Sequence, residues 1–263
     1  MLTERAISTS AVFFAMLRRD VRVARRELPY FLVRTALQPL LLMIVFGFLM
    51  PRLGIMQQGY TATLLPGVLA LSLALSSVQS VALPMVAQFG FSREIEDRLL
   101  APISNHLVAL ELIVAGTMQG VIAGLFVLPC GRLIMGAVPG LAFSNLPHIV
   151  GITVLGAATF SALGLLIGCA IRPEQIGLMF SSIIGPMIFF GCTYYPWMSL
   201  DKVPVMQYLV LLNPLVYVAE GMRGAITPGV PHMDPFVDAV VLVALLMLFW
   251  HFGRRAFLKR AIS

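Results

Sequence analysis

Charge is what this chain lacks. Asp, Glu, Lys and Arg make up 11% of its residues, against about a quarter in ordinary soluble domains. That scarcity excludes a soluble globular protein. The net charge of +6 does not point to nucleic acid either, because the basic residues are too sparse and too confined to the flanks of apolar runs to track phosphates. Lysine is almost absent, with only Lys202 and Lys259 among 18 basic residues. Cys130, Cys169 and Cys192 show no C-x-x-C spacing and read as small buried thiols, so neither a metal site nor a disulfide framework is expected. The histidines are few and scattered; His106, His148 and His251 border different apolar runs and build no metal site. No G-x-x-x-x-G-K-[ST] phosphate loop, no H-E-x-x-H and no Ser–His–Asp arrangement is present. The chain is therefore expected to bind no cofactor and to hydrolyse nothing by itself. The first apolar run is short and is followed by Arg18 and Arg19, without a small-residue cleavage site, so no cleavable signal peptide is expected.

What the chain has in abundance is apolar length: 59% of its residues are hydrophobic. A helix needs about 20 apolar residues to cross a hydrocarbon core of about 30 Å. Six segments qualify: 31–50, 61–88, 107–130, 149–171, 176–192 and 236–252, the last two being the shortest. The expected fold is an all-α integral membrane protein with six transmembrane helices in one domain. Fourteen of the 18 basic residues fall on one side if the N-terminus is cytoplasmic, leaving Arg52, Arg132, Lys202 and Arg223 outside. This positive-inside bias predicts a multi-pass protein with both termini cytoplasmic, and the excess of arginine over lysine points to a bacterial chain, hence to the bacterial cytoplasmic membrane.

Before the first span, Phe13, Leu17, Val21, Ala24 and Leu28 recur at helical spacing, with Arg18, Arg22, Arg25 and Arg26 beside them. Residues 8–28 are thus predicted to form an amphipathic helix along the inner membrane surface. On the third span Gly116, Gly120 and Gly124 form a ladder of small residues, and Gly164 and Gly168 form another pair on the fourth. Such spacing lets helix backbones approach closely, within one subunit or between two. Glu111 and Asp238 lie within a turn of span ends, where their carboxylates are expected to snorkel to the interface. A proton-coupled carrier needs acids nearer mid-membrane, and a membrane-embedded enzyme needs converging His, Asp or Glu; the sequence shows neither.

Residues 193–235 are too long for a simple connection and are not hydrophilic. Asn213-Pro214 splits two short apolar segments, and Tyr194, Tyr195, Trp197, Tyr208 and Tyr217 supply rings suited to the headgroup level. This reads as an extracellular re-entrant or interfacial helical hairpin, tolerated at membrane depth only where its backbone is buried in protein or lines a cavity.

The sharpest anomaly is the stretch 91–104, F-S-R-E-I-E-D-R-L-L-A-P-I-S, where Arg93, Glu94, Glu96, Asp97 and Arg98 crowd together in a chain with 12 acidic residues in all. Charges at i, i+3 and i, i+4 can pair on a short helix, the apolar Leu99-Leu100-Ala101 faces the other way, and Pro102 stops it. On the cytoplasmic side such a helix is suited to docking a soluble partner.

Two of these segments resemble a known family. Glu96-Asp97-Arg98-Leu99-Leu100-Ala101-Pro102-Ile103-Ser104 resembles the E-x-L-L-x-x-P-[IVL]-S coupling helix of type-2 ATP-binding-cassette exporter permeases, the group of daunorubicin-resistance, nodulation-factor and O-antigen permeases. Leu212-Asn213-Pro214-Leu215-Val216-Tyr217, followed by Glu220 and Arg223, resembles that family's L-N-P-L-T-Y…R segment, with Val216 in place of Thr. The resemblance implies a permease subunit without a nucleotide site of its own. Its partners would be separate ATPase subunits that bind ATP and Mg and dock on 91–104, a second permease subunit, identical or related, and the lipid membrane. The basic N-terminal helix and the Arg172-Pro173-Glu174 turn would assist docking. Within the hairpin, Pro196, Trp197, Asn213, Pro214, Tyr217, Glu220 and Arg223 are the candidate site residues. The spans are mostly aliphatic, with polar exceptions such as Ser76, Ser77, Gln79 and Gln119, which favours an amphipathic drug or lipid-like cargo over a glycolipid or lipid-linked saccharide.

Overall fold

The computed structural model describes residues 9–56, 59–92, 100, 103–138, 142 and 146–262. Among them every regular element is helical. Five helices are long and apolar enough to cross a membrane: Thr9–Arg52, Tyr60–Gly90, Asn105–Met135, Leu146–Ala170 and Pro235–Ala261. A sixth is counted only if a pair of short helices bent by 100° forms one broken span.

The first helix departs from expectation. α1 (Thr9–Leu42) runs without a break through Pro29 and continues by a π-helical stretch, Met43–Leu49, to a last turn at Met50–Arg52. The separate amphipathic helix expected over 8–28 is instead the first half of this element. Pro29 removes one backbone hydrogen bond, but the Arg- and Leu-rich flank around it favours helix strongly enough to carry the coil past it. At about 1.5 Å per residue the whole element measures about 66 Å along its axis, twice the hydrocarbon thickness, so its two halves cannot both lie across one bilayer core. Arg18, Arg22, Arg25 and Arg26 are carried on the first half.

α2 (Tyr60–Ala87) is the hub. Every residue from Leu64 to Val78 is buried, the condition of a helix apolar all round and surrounded by protein. α3 (Asn105–Met135) and α4 (Leu146–Ala170) reach it through their glycines. A Cβ at Gly120 would overlap the Ser77 hydroxyl, one at Gly116 would overlap Val81, and one at Gly124 would stand 3.4 Å from Leu73 Cβ. From the other side a Cβ at Gly164 would lie 2.8 Å from the Val78 carbonyl oxygen, and one at Gly168 would lie 2.9 Å from Ala82 Cα. Both ladders face the second span of the same chain. Thr117 and Thr153 turn their hydroxyls back on their own helices, onto Ile113 O at 2.7 Å and Ile149 O at 2.6 Å, whereas the buried hydroxyls of Ser76 and Ser77 on α2 have no hydrogen-bond partner among the described residues.

The expected fifth span, 176–192, is shorter and irregular. α5 (Ile176–Met179), a π-helical turn (Phe180–Ile184) and α6 (Gly185–Phe189) follow one another, and the coil ends there. Pro186 cannot donate to the preceding turn, and that missing bond sits directly after the widened π stretch. Fourteen residues of helix span about 21 Å, short of a full crossing. α7 (Pro204–Leu209, extended by a 3₁₀ turn Val210–Leu212) and α8 (Pro214–Ile226) come next, then α9 (Pro235–Ile262). Large apolar side chains stand exposed in helical stripes: Val33, Leu37, Leu41, Ile44 and Phe48 on α1, and Phe236, Val240, Val243 and Met247 on α9. In water such stripes would be aggregation surfaces; in a bilayer they meet hydrocarbon.

Two glycines of α4 separate close approach from plain helix propensity. Ala at Gly151, which has nothing within 4 Å, gains up to about 1 kcal/mol of helix propensity. Ala at Gly164 gains the same but forces a methyl against the α2 backbone, an overpacking cost of about 1–3 kcal/mol. Thermal unfolding of the purified chain in detergent should therefore rank G151A at or above wild type and G164A below it.

Candidate functional site

The end of the bundle that carries the hairpin is organised by α8. Asn213 is its N-cap: its side-chain oxygen accepts from Leu215 N at 3.0 Å, and Pro214 occupies the first helical position, where a missing N–H costs nothing. The Asn213 amide donates to Met187 O at 2.8 Å, which ties the start of α8 to α6. The backbone turns by 100° here, since Asn213 is held extended before proline. Tyr217, one turn on, donates its hydroxyl to Leu211 O at 2.8 Å and pins the end of α7.

Glu220 and Arg223 lie three residues apart on one face of α8, and both are fully buried. Their ion pair closes at 2.5 Å between Oε1 and Nη1. The rest of the guanidinium fork is spent on main chain: Nε donates to Thr63 O of α2 at 3.3 Å, and Nη2 donates to Cys192 O and to Thr193 O at 3.3 Å. The carboxylate is satisfied in the same way, Oε1 accepting from Trp197 N at 2.8 Å and Oε2 from Met233 N at 3.1 Å. Trp197 adds a bond from its indole N–H to Gln207 O at 2.9 Å, behind Pro196, and Tyr60 donates to Tyr194 O at 2.8 Å. Four chain segments thus converge on one pair: the start of α2, the loop after α6, α8 and the loop before α9. A buried pair costs several kcal/mol per ion in desolvation, and only such a full set of partners offsets it. The loop is strained to fit: Cys192 has φ +51°, and a Cβ at Gly67 of α2 would overlap the Thr193 carbonyl.

Of the hairpin candidates, Trp197, Glu220 and Arg223 make this knot, while Asn213 and Tyr217 tie the start of α8 to α6 and α7. α8 is buried, whereas α7 exposes Val205, Tyr208, Leu209 and Leu212. The expectation that Glu111 and Asp238 snorkel to the interface is overturned, for both are fully buried. Asp238 sits one turn into α9 with its carboxylate facing Gly221 of α8; packing of α8 over that turn closes the route outward. Arg93, Glu94, Glu96, Asp97, Arg98, Leu99 and Pro102 lie outside the described residues. What brackets them is described: the π-helical stretch Gln88–Ser92 before, and Ile103, packed against the buried cluster that includes Met85, Val108 and Phe257, after. Thr63, Gly67 and Cys192 were missed by sequence reading, since each contributes backbone or mere absence of bulk and carries no chemical signature.

A family model described as ABC-2 type transporter matches residues 11–227, so the chain belongs to that family and is a multi-pass membrane subunit of a transporter. Among curated proteins it is similar to the inner membrane transport permease YadH of Escherichia coli strain K12, 30% identical over 236 residues that cover 85% of this chain and 88% of the relative. The same figures hold for YadH of Escherichia coli O157:H7 and of Shigella flexneri. No solved structure matches.

Removing one partner of the knot should do more damage than removing both. R223A strands a buried carboxylate at a cost of about 3–5 kcal/mol. Glu220→Leu with Arg223→Met should cost less than the two single changes added together. The check is the melting temperature of each variant, read beside the rate at which a maleimide reaches the buried Cys192 thiol, which should rise most in R223A.

Proposed function

We propose that the chain is the permease subunit of an ATP-binding-cassette exporter of the bacterial inner membrane, moving an amphipathic drug or lipid-like molecule outward. Membership of the ABC-2 type transporter family and the similarity to inner membrane transport permeases support the class. The observation that carries the mechanism is the charged stretch 91–104. It joins two apolar spans, α2 and α3, at the end richest in basic residues, in a chain with no phosphate loop of its own. Arg93, Glu94, Glu96, Asp97 and Arg98 offer both signs of charge to a partner, and Leu99 and Pro102 complete the stretch that the partner would read. ATP and Mg belong to that partner, an ATPase subunit. Arg18, Arg22, Arg25 and Arg26 lie on the same, cytoplasmic side, as do both termini.

The knot of Glu220 and Arg223 holds the hairpin as a rigid extracellular element, with buried α8 as its re-entrant leg and exposed α7 as its interfacial leg. The second permease subunit, identical or related, completes the path. Both glycine ladders are spent inside this chain, so the subunit contact falls elsewhere on its surface, among the exposed apolar stripes. The mostly aliphatic spans favour apolar cargo; a glycolipid or lipid-linked saccharide is the second reading, favoured by the aromatic rings gathered in the hairpin.

The test is E96A with R98A, expressed beside the ATPase subunit. The pair should abolish co-purification and ATP-driven export while membrane insertion and melting temperature stay at wild-type values. An ATPase that still co-purifies with the double variant overturns the docking role.

A further inference from the structure

At the opposite end from the hairpin, segments far apart in sequence meet around Arg260, near the end of α9. Its Nη1 donates to the carbonyls of Gly168 at 3.1 Å, Cys169 at 3.0 Å and Ile171 at 2.9 Å. These belong to the last turn of α4 and the residue just beyond, where carbonyls lack intrahelical donors and the helix dipole favours a cation. The same guanidinium lies over the Phe89 ring, 4.8 Å from its centroid, and Phe89 stands edge-on to the buried Phe257 at 6.1 Å. The next residue, Gly90, abuts the loop after α4 so closely that a Cβ would overlap the Pro173 ring. One side chain and one glycine contact therefore join the end of α9, the end of α4 and the π-helical stretch Gln88–Ser92.

An arginine that served only membrane topology would need nothing beyond the interface, as exposed Arg255 and Lys259 illustrate. Arg260 is instead turned inward onto three carbonyls and a ring. The stretch it holds runs straight into the charged segment that begins at Arg93. We infer that Arg260 is a positioning residue that locks these three ends into one body, so that a displacement entering at Ser92 moves α4 and α9 together. This rests on the reading of 91–104 as the ATPase-docking stretch.

Spin labels at Glu174→Cys and Arg255→Cys, both exposed positions, report on the joint in a chain whose native cysteines are replaced by Ser. Double electron–electron resonance should give one narrow distance in the isolated chain, unchanged in the ATPase complex with and without trapped nucleotide. R260A should lose that single distance and make it nucleotide-dependent in the complex. R260K, which keeps a cation and three donors, should restore it. A distance in R260A identical to wild type in every state overturns the inference. So does broadening in R260K equal to that in R260A with both melting early, since the side chain would then hold the fold and not the joint. Should R260A fail to fold, Phe89→Leu decides: it removes the ring but keeps apolar bulk, and must broaden the distance without lowering the melting temperature. An ATPase that never binds the wild-type chain defeats the docking reading alone, and the joint is then judged on the isolated chain.

Discussion

The whole bundle depends on α2 having no outward face. A helix buried on every side from Leu64 to Val78 can be solvated only by other helices, and their approach distance decides how well its backbone is shielded. The glycines of α3 and α4 bring that distance down until a single methyl would not fit. Dispersion then supplies what the hydrophobic effect cannot supply between helices already in hydrocarbon. α1 and α9, by contrast, keep one face each for the core and present the other as an apolar stripe.

The same helix anchors the polar part of the molecule. Thr63 O lends an acceptor to Arg223, and the missing side chain at Gly67 makes room for the Thr193 carbonyl. A loop with strained backbone at Cys192 can persist at a membrane boundary because each of its carbonyls there is handed a donor from one guanidinium. Arginine suits this place where lysine would not, since a planar fork can serve a carboxylate and three carbonyls in different directions. Glu220 returns the arrangement by accepting two main-chain amides.

Much of this was legible in the sequence, and the remainder has physical reasons for being hidden. Apolar length located α2, α3, α4 and α9 within a few residues at most of their ends, because twenty apolar residues in a row have few other uses. Asn213-Pro214 announced the break between α7 and α8, since both residues act locally. Residue types drew attention to Trp197, Glu220 and Arg223, but their meeting around one ion pair depends on contacts from Thr63 to Met233 that no spacing rule encodes. The boundary expected between 8–28 and 31–50 is absent, because Pro29 weakens the helix there without obliging it to end. Glu111 and Asp238 misled: distance from a span end says how far a side chain must reach, not whether a neighbouring helix lies in the way.

These ties give the transporter a mechanical character. α2 is bound at one end to α8 and the loop after α6, through Thr63, Tyr60 and Gly67. At its other end its continuation, Gln88–Ser92, is bound to α4 and α9 through Phe89 and Gly90. From Gly67 to Phe89 the helix runs about 33 Å between the two sets of ties. A close-packed helix transmits strain, because neighbours that interdigitate cannot slide without leaving voids. An ATPase pushing on the segment after Ser92 would thus act on a rod already fixed to the hairpin at its far end. Motion would be expected where the rod is not fixed, along the lipid-facing stripe of α1 and in the short π-helical stretch beside Pro186. If the proposed docking on 91–104 holds, the buried Glu220–Arg223 pair would be the far anchor of that rod, and its strength would set how faithfully a push entering after Ser92 arrives at α8.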